Sequence, residues 1–183
     1  MTEPVRCSWA TSAPEYVAYH DEEWGRPLRG DAALFERISL EAFQSGLSWI
    51  TILRKREAFR SAFCGFDPSA VAAFDERDVD RLLQDVGIVR NRAKIEATIA
   101  NARATLALEG GLTDLLWSFA PAEHPAPATV ADVPATTPES VAMAKDLKRS
   151  GFRFVGPTTA YALMQATGIV NDHVADCWVR DQV

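Results

Sequence analysis

At 183 residues the chain is long enough for one well-buried core, or for two small lobes flanking a cleft, and too short for several independent domains. Hydrophobic residues make up 48% and charged residues 24%, a globular balance that excludes disorder as the default state. The net charge of −6 excludes a protein that coats nucleic acid through its overall field, although a local basic groove stays open.

The opening MTEPVRCSWATSAPEY has neither the basic start nor the apolar stretch of an export signal, and no run reaches membrane-spanning length. A soluble intracellular protein without membrane contact is expected. The three cysteines are scattered and odd in number, which favours metal binding or free thiols over a disulfide framework. Asp31 is placed to cap a helix through LFERISLEAFQS, and the Gly46 region separates it from a second helix, WITILRKREAFRSAF. Asp67-Pro68 pairs a cap with a proline at the first helical position and opens SAVAAF. DERDVDRLLQDVG is expected to end at Gly87, and RNRAKIEATIANARATLALEGG at its glycine pair. APAEHPAPATVADVPATTPES reads as a connector, after which PESVAMAKDLKRSG and PTTAYALMQATG form two short helices around GFRFVG. The expected class is all-α.

Four features carry possible chemistry. Glu41 is the only ionisable residue in ISLEAFQSGLSWITIL, so it either faces solvent or lines a pocket, with Gln44 and Ser45 within a turn of it. Gly46 and Leu47 form a turn with an apolar tip. Leu47 there, with the flat Trp49 behind it, would suit a wedge and a stacking platform for an extruded base, or both are ordinary core residues. LKRSGFRFVGPTTAYALM sets Gly156 and Pro157 at a helix start beside Lys148, Arg149 and Arg153, either a phosphate-binding hairpin or a plain helical one. The basic clusters at Arg54, Lys55 and Arg56 and at Arg90, Arg92 and Lys94 read as solvated helix faces when taken alone. Lastly, Cys7 and His20 near one end, with His173 and Cys177 at i, i+4 near the other, make a closed tetrahedral zinc site if the ends meet, and four unrelated residues if they do not. Cys64 and His124 have no such companions and read as a buried small residue and a surface loop residue.

Taken together, RCSWA, YVAYHDEEWG, LFERISLEAFQSGLSWITILRKRE, VGIVRNRAKIEATIANARA and LKRSGFRFVGPTTAYALMQATGIVNDHVADC resemble the 3-methyladenine DNA glycosylase I family over nearly the whole chain. The resemblance implies a helix-hairpin-helix glycosylase fold forming one unit over 1–183. A base-pocket and hairpin lobe would span about 31–165, and a zinc-staple region would form from 1–25 and 166–183. It implies Cys7, His20, His173 and Cys177 as ligands of one structural Zn²⁺. Glu41 and Tyr19 become the catalytic base-recognition pair, and Trp49, Trp24 and Tyr16 the rest of the base pocket. Gly46, Leu47, Arg153 and Gly156 become DNA contacts. Two departures stand out: Phe43 where a glutamine is expected beside the pocket, and Ser8 where a glycine is expected.

The activity so implied is monofunctional hydrolysis of the N-glycosidic bond of 3-methyladenine in double-stranded DNA by a monomer. The helix after the hairpin carries no aspartate and no lysine is placed as a Schiff-base nucleophile. One alternative is a non-catalytic, zinc-stabilised helix-hairpin-helix DNA-binding protein, which would not require Tyr19, Glu41 and Trp49 together. Another is a zinc hydrolase, which four protein ligands would leave without an open coordination position.

Overall fold

The computed structural model describes residues 3–183. Met1 and Thr2, the first residues of the expected terminal region, lie outside the described residues. All regular structure among those described is helical: α1 (Pro14–Glu22), α2 (Asp31–Gln44), α3 (Trp49–Ala62), α4 (Pro68–Ala72), α5 (Glu76–Gln84), α6 (Arg92–Ala107), α7 (Gly111–Trp117), α8 (Pro138–Arg149) and α9 (Pro157–Ala166), with short 3₁₀ turns between some of them. No helix among the described residues is long and apolar enough to cross a membrane.

Local chemistry sets most boundaries. Asp67 accepts from the Ser69 and Ala70 amides ahead of Pro68, Asp75 and Asp78 form a capping box on α5, and Asn91 caps α6 through the Lys94 amide. Thr137 and Ser140 form another box on α8, where proline again takes the first helical position. Asp31 departs from expectation. Gly30 precedes α2 without a side-chain cap, and the Asp31 carboxylate accepts from the Thr113 amide (2.9 Å) and hydroxyl (2.7 Å), tying the start of α2 to α7. α5 ends at Gln84, before Gly87. The glycine pair that ends the α6 segment also starts α7, a helix that the residue patterns had not marked.

α2 is the hub, packed against α3, α6, α7 and α9. Its Leu34, Phe35, Ile38, Leu40 and Phe43 are fully buried in a core shared with Phe59, Phe63, Phe66 and Met164. Phe43 packs against the rings of Phe59 and Phe63 with centroids 4.7 and 5.9 Å away. It is therefore a core residue and does not border the pocket described below. A second, much smaller cluster joins the chain ends: Cys7, Val174, Cys177 and Val179, with Trp9, Trp24 and Val183 packed against them. The Trp178 amide donates to the Val5 carbonyl there. The connector braces this region, because Pro127 accepts from the Ala175 amide and His124 lies 2.6 Å from Asp172. His124 is thus half-buried and engaged, whereas Cys64 is exposed at a turn of positive φ.

Candidate active site

A cleft of about 310 Å³ opens on the seam between the two clusters, within the usual range for small-molecule sites (roughly 300–1,000 Å³). Glu41, Gln44, Trp49 and Ala162 line it from the helical body. Trp9, Ser12, Tyr16, Tyr19 and Trp24 line it from the other side. The structure thus brings Tyr16, Tyr19, Trp24, Glu41 and Trp49 to one cavity. Trp9 was not singled out from the sequence, although it sits two residues after Cys7. Its ring meets Tyr16, Trp24 and His20 edge-on at 5.7, 5.1 and 5.3 Å.

Glu41 is 5% exposed and lines this aromatic cleft. Burial pushes its carboxyl up to about 7, and the nearby Arg37 guanidinium pulls the other way. None of the described residues donates a hydrogen bond to it. Tyr19 is also buried, with its ring 5.5 Å from that of Trp49, and its hydroxyl accepts from Arg37 Nη1 at 2.9 Å. The Tyr16 hydroxyl accepts from the Ile50 amide at 2.9 Å, which anchors the first turn of α3 to α1. The Trp49 indole N–H is buried without a partner among the described residues.

Behind the Trp9 and Trp24 wall lie Cys7, His20, His173 and Cys177, all buried, with one ligating atom from each within 4.8 Å of the others. His20 uses Nδ1 toward Asp21 (2.8 Å), whose carboxylate also takes a bidentate bond from Arg6. His173 uses Nε2 toward the Trp24 carbonyl (3.1 Å). Each imidazole therefore turns its remaining nitrogen inward, and the two face one another at 3.2 Å. Two lone pairs so close repel unless a cation lies between them. Cys177 Sγ is 3.5 and 3.6 Å from these nitrogens, and Cys7 Sγ is 3.9 Å from His173 Nδ1. Bonds of roughly 2.0–2.3 Å to a tetrahedral ion put its ligands about 3.3–3.8 Å apart, so the four residues fit one. Burial holds His173 down to about 4 and also lowers His20, keeping both in the neutral form that ligates. Burial pushes the Cys7 thiol up to about 12, a penalty that a bound cation would reverse. Gly25 completes the arrangement: at φ +77° it lets His173 pack where any Cβ would come within 2.8 Å of Nε2.

The other expected residues lie on the outer surface. After α2 the chain turns at Gly46, whose φ of +82° suits glycine, and Leu47 projects 41% exposed. Lys94 Nζ ties down the start of this turn through the carbonyls of Phe43 (2.8 Å) and Ser45. α8 and α9 form the hairpin, held to α6 by Asn101, which bonds both the amide and the carbonyl of Arg153. Gly156 precedes α9 with no side-chain cap, and Arg153 and Lys148 are exposed and make no ion pair with the described residues. The other basic clusters are largely solvated helix faces, as expected, several of them tied down by surface ion pairs. Arg54 pairs with Glu15 and Arg56 with Glu23, while Arg92 joins Glu76, Asp80 and Glu96. Asp172, the first acidic residue after the hairpin, is bound by Tyr161, Gln165 and His124 and does not line the cleft.

An all-helical body carrying a hairpin, an aromatic cleft with one buried carboxylate and a Cys₂His₂ group define a class, and comparison with known proteins gives its family. The methyladenine glycosylase family model matches residues 9–181, and the chain belongs to that family. It is 50% identical to DNA-3-methyladenine glycosylase 1 of Escherichia coli (strain K12) over 94% of this chain and 95% of that protein. A crystal structure of 3-methyladenine DNA glycosylase I superposes with a TM-score of 0.91 at 50% identity, covering 95% of this chain and 98% of that one. The Staphylococcus aureus 3-methyladenine DNA glycosylase I, in a structure describing 3-methyladenine recognition, matches with a TM-score of 0.90 at 36% identity over 96% of both chains.

Proposed function

We propose that this protein is a DNA-3-methyladenine glycosylase, a base-excision repair enzyme that hydrolyses the N-glycosidic bond of 3-methyladenine in alkylated double-stranded DNA. The observation that carries the reading is a buried carboxylate, without a hydrogen bond from the described residues, lining an aromatic cleft. Methylation at N3 makes the base cationic, so it leaves as a neutral molecule and needs little acid assistance. Selection is the harder task. Glu41 and the faces of the surrounding rings favour a cationic base over neutral adenine in a setting of low dielectric. Hydrogen bonds at Glu41 and Tyr19 orient it, with Trp49, Trp24 and Tyr16 enclosing it.

Residues 31–165 serve as the base-pocket and hairpin lobe. Residues 1–25 and 166–183 serve as the staple, with Cys7, His20, His173 and Cys177 holding one structural zinc. Four protein ligands leave the metal no open position, so it supplies cohesion and no activated water. Exposed Leu47 on the Gly46 turn fills the gap left by the extruded base. The open amides at Gly156, with Arg153, hold the phosphate backbone without reading sequence. The cleft is built from one chain, so a monomer suffices, acting inside the cell where its DNA substrate lies.

Incubation with methylated duplex DNA and chromatography of the released bases tests this reading. Free 3-methyladenine is expected, without 7-methylguanine and without strand cleavage. Binding to such DNA with no base released would sink the enzymatic reading and favour a non-catalytic DNA-binding role.

A further inference from the structure

Arg37 lies one helical turn before Glu41 on α2, the i, i+4 spacing that sets both side chains on one face. It is 8% exposed and does not line the cleft. A guanidinium is rarely buried without partners, and this one has a specific set. Nη1 donates to the Tyr19 hydroxyl at 2.9 Å and Nη2 to Glu23 at 3.4 Å. Glu23 is itself fixed by a bidentate pair with Arg56 at 2.6 and 2.8 Å. The guanidinium carbon also lies 5.4 Å from the Tyr19 ring centroid and 5.8 Å from that of Trp49. One cation behind the cleft thus touches the tyrosine and the tryptophan that wall it, and α1, α2 and α3 meet in its network.

The hydrogen-bond sense decides what this does. Guanidinium groups donate and never accept, so the Tyr19 oxygen must be the acceptor on its Arg37 side. Its single O–H is then directed away from Arg37, and no acceptor among the described residues takes it. Resting on the proposed glycosylase function, we infer that Arg37 is a positioning residue that presents Tyr19 to the base as a donor, alongside Glu41 as an acceptor. That pairing suits an adenine-type edge, where an amino group adjoins a ring nitrogen with a free lone pair. Without Arg37 the hydroxyl could rotate and offer a lone pair to the base, which matches that edge less well. The cation's field also opposes the effect of burial on Glu41.

The test is a double-variant cycle read by binding of free 3-methyladenine, through tryptophan fluorescence, and by single-turnover excision. Arg37→Met is expected to weaken base binding about tenfold, as for loss of a charge-assisted hydrogen bond. In a Tyr19→Phe background the same change should cost at least about threefold less, because no hydroxyl is left to orient. A merely structural Arg37 would impose the same factor in both backgrounds. Arg37→Lys, which keeps the charge, is expected to recover part of the binding and carries the same cycle if circular dichroism shows the methionine variant unfolded. Binding within about twofold of wild type in a folded Arg37→Met variant, or losses that simply multiply, would overturn the inference. A wild-type protein that neither binds nor releases 3-methyladenine would instead overturn the proposed function.

Discussion

The helical body and the joined chain ends are held together by different physics. In the body, α2 buries five large side chains against an aromatic cluster of Phe59, Phe63 and Phe66, and such packing is sufficient to order helices. The apolar cluster that the joined ends share is far smaller, made of Cys7, Val174, Cys177 and Val179 with Trp9, Trp24 and Val183 packed against them. Ordering backbone costs roughly 1–2 kcal/mol per residue, which a patch of that size does not offset. Four converging ligands stand where the core is missing. The cleft takes one wall from each region, so under the proposed metal ligation its aromatic side would depend on the Cys₂His₂ group and its carboxylate side depends on packing.

The largest effect is expected from removing the metal or a ligand, since structural zinc contributes on the order of 10 kcal/mol in small domains. Chelation, or Cys177→Ser, should leave most far-UV helicity in place while changing the Trp9 and Trp24 environment and abolishing excision. Metal analysis alongside fluorescence checks this, and full activity in a metal-free sample would mean that the wall stands without ligation. Next comes the body. Phe43→Gln should cost about 3–5 kcal/mol in urea denaturation, the range for losing a buried aromatic ring. Excision at 25 °C should stay within about twofold of wild type while the protein is folded, and a large loss of activity would place this residue closer to the chemistry than its packing indicates.

Glu41→Gln is expected to slow excision about 10²-fold, the size seen when one preorganised electrostatic group is removed. Its stability effect has the opposite sign. The carboxyl sits at about 7 in the folded chain against an ordinary value of 4.5, so the stability it permits is complete below 4.5 and is lost as pH rises through 7. The glutamine variant should therefore be more stable at pH 8 by up to roughly 3 kcal/mol and no more stable below about pH 4. Thermal melts across that range check the sign. Wild-type excision should in turn rise to a plateau above pH 7, and the variant should lack that rise. The smallest effect belongs to the outer surface. Leu47→Ala should weaken lesion-dependent DNA affinity by about fivefold with stability changed by less than about 0.5 kcal/mol, and a large melting shift would show that Leu47 supports the fold instead.

How much of this was legible follows the range of the interactions. Caps at Asp67, Asp75 and Thr137 act within four residues and can be read directly from the chain. Asp31 looks the same locally, yet its carboxylate serves Thr113 more than eighty residues away. α1 shows no apolar stripe because its inward residues, Tyr16, Tyr19 and His20, face a cleft and a ligand set. Of the cleft residues, Glu41 stood out as a lone charge in an apolar run. Tyr19, Trp24 and Tyr16 were legible only through resemblance to a family. Trp9 and Arg37 had no local signal, because their significance lies in what they touch.

The residues alone therefore determined an all-α chain, most of its helices though neither α1 nor α7, a turn at Gly46 and the set of side chains able to ligate a metal. Each depends on backbone propensity, capping or donor chemistry that neighbouring residues define. Tertiary structure decided that the two ligand pairs converge, that Glu41 is buried beside two aromatic walls, and that Phe43 belongs to the core. It also set the Arg37 guanidinium against the Tyr19 hydroxyl. These outcomes depend on groups far apart in the chain, and only packing specifies their distances.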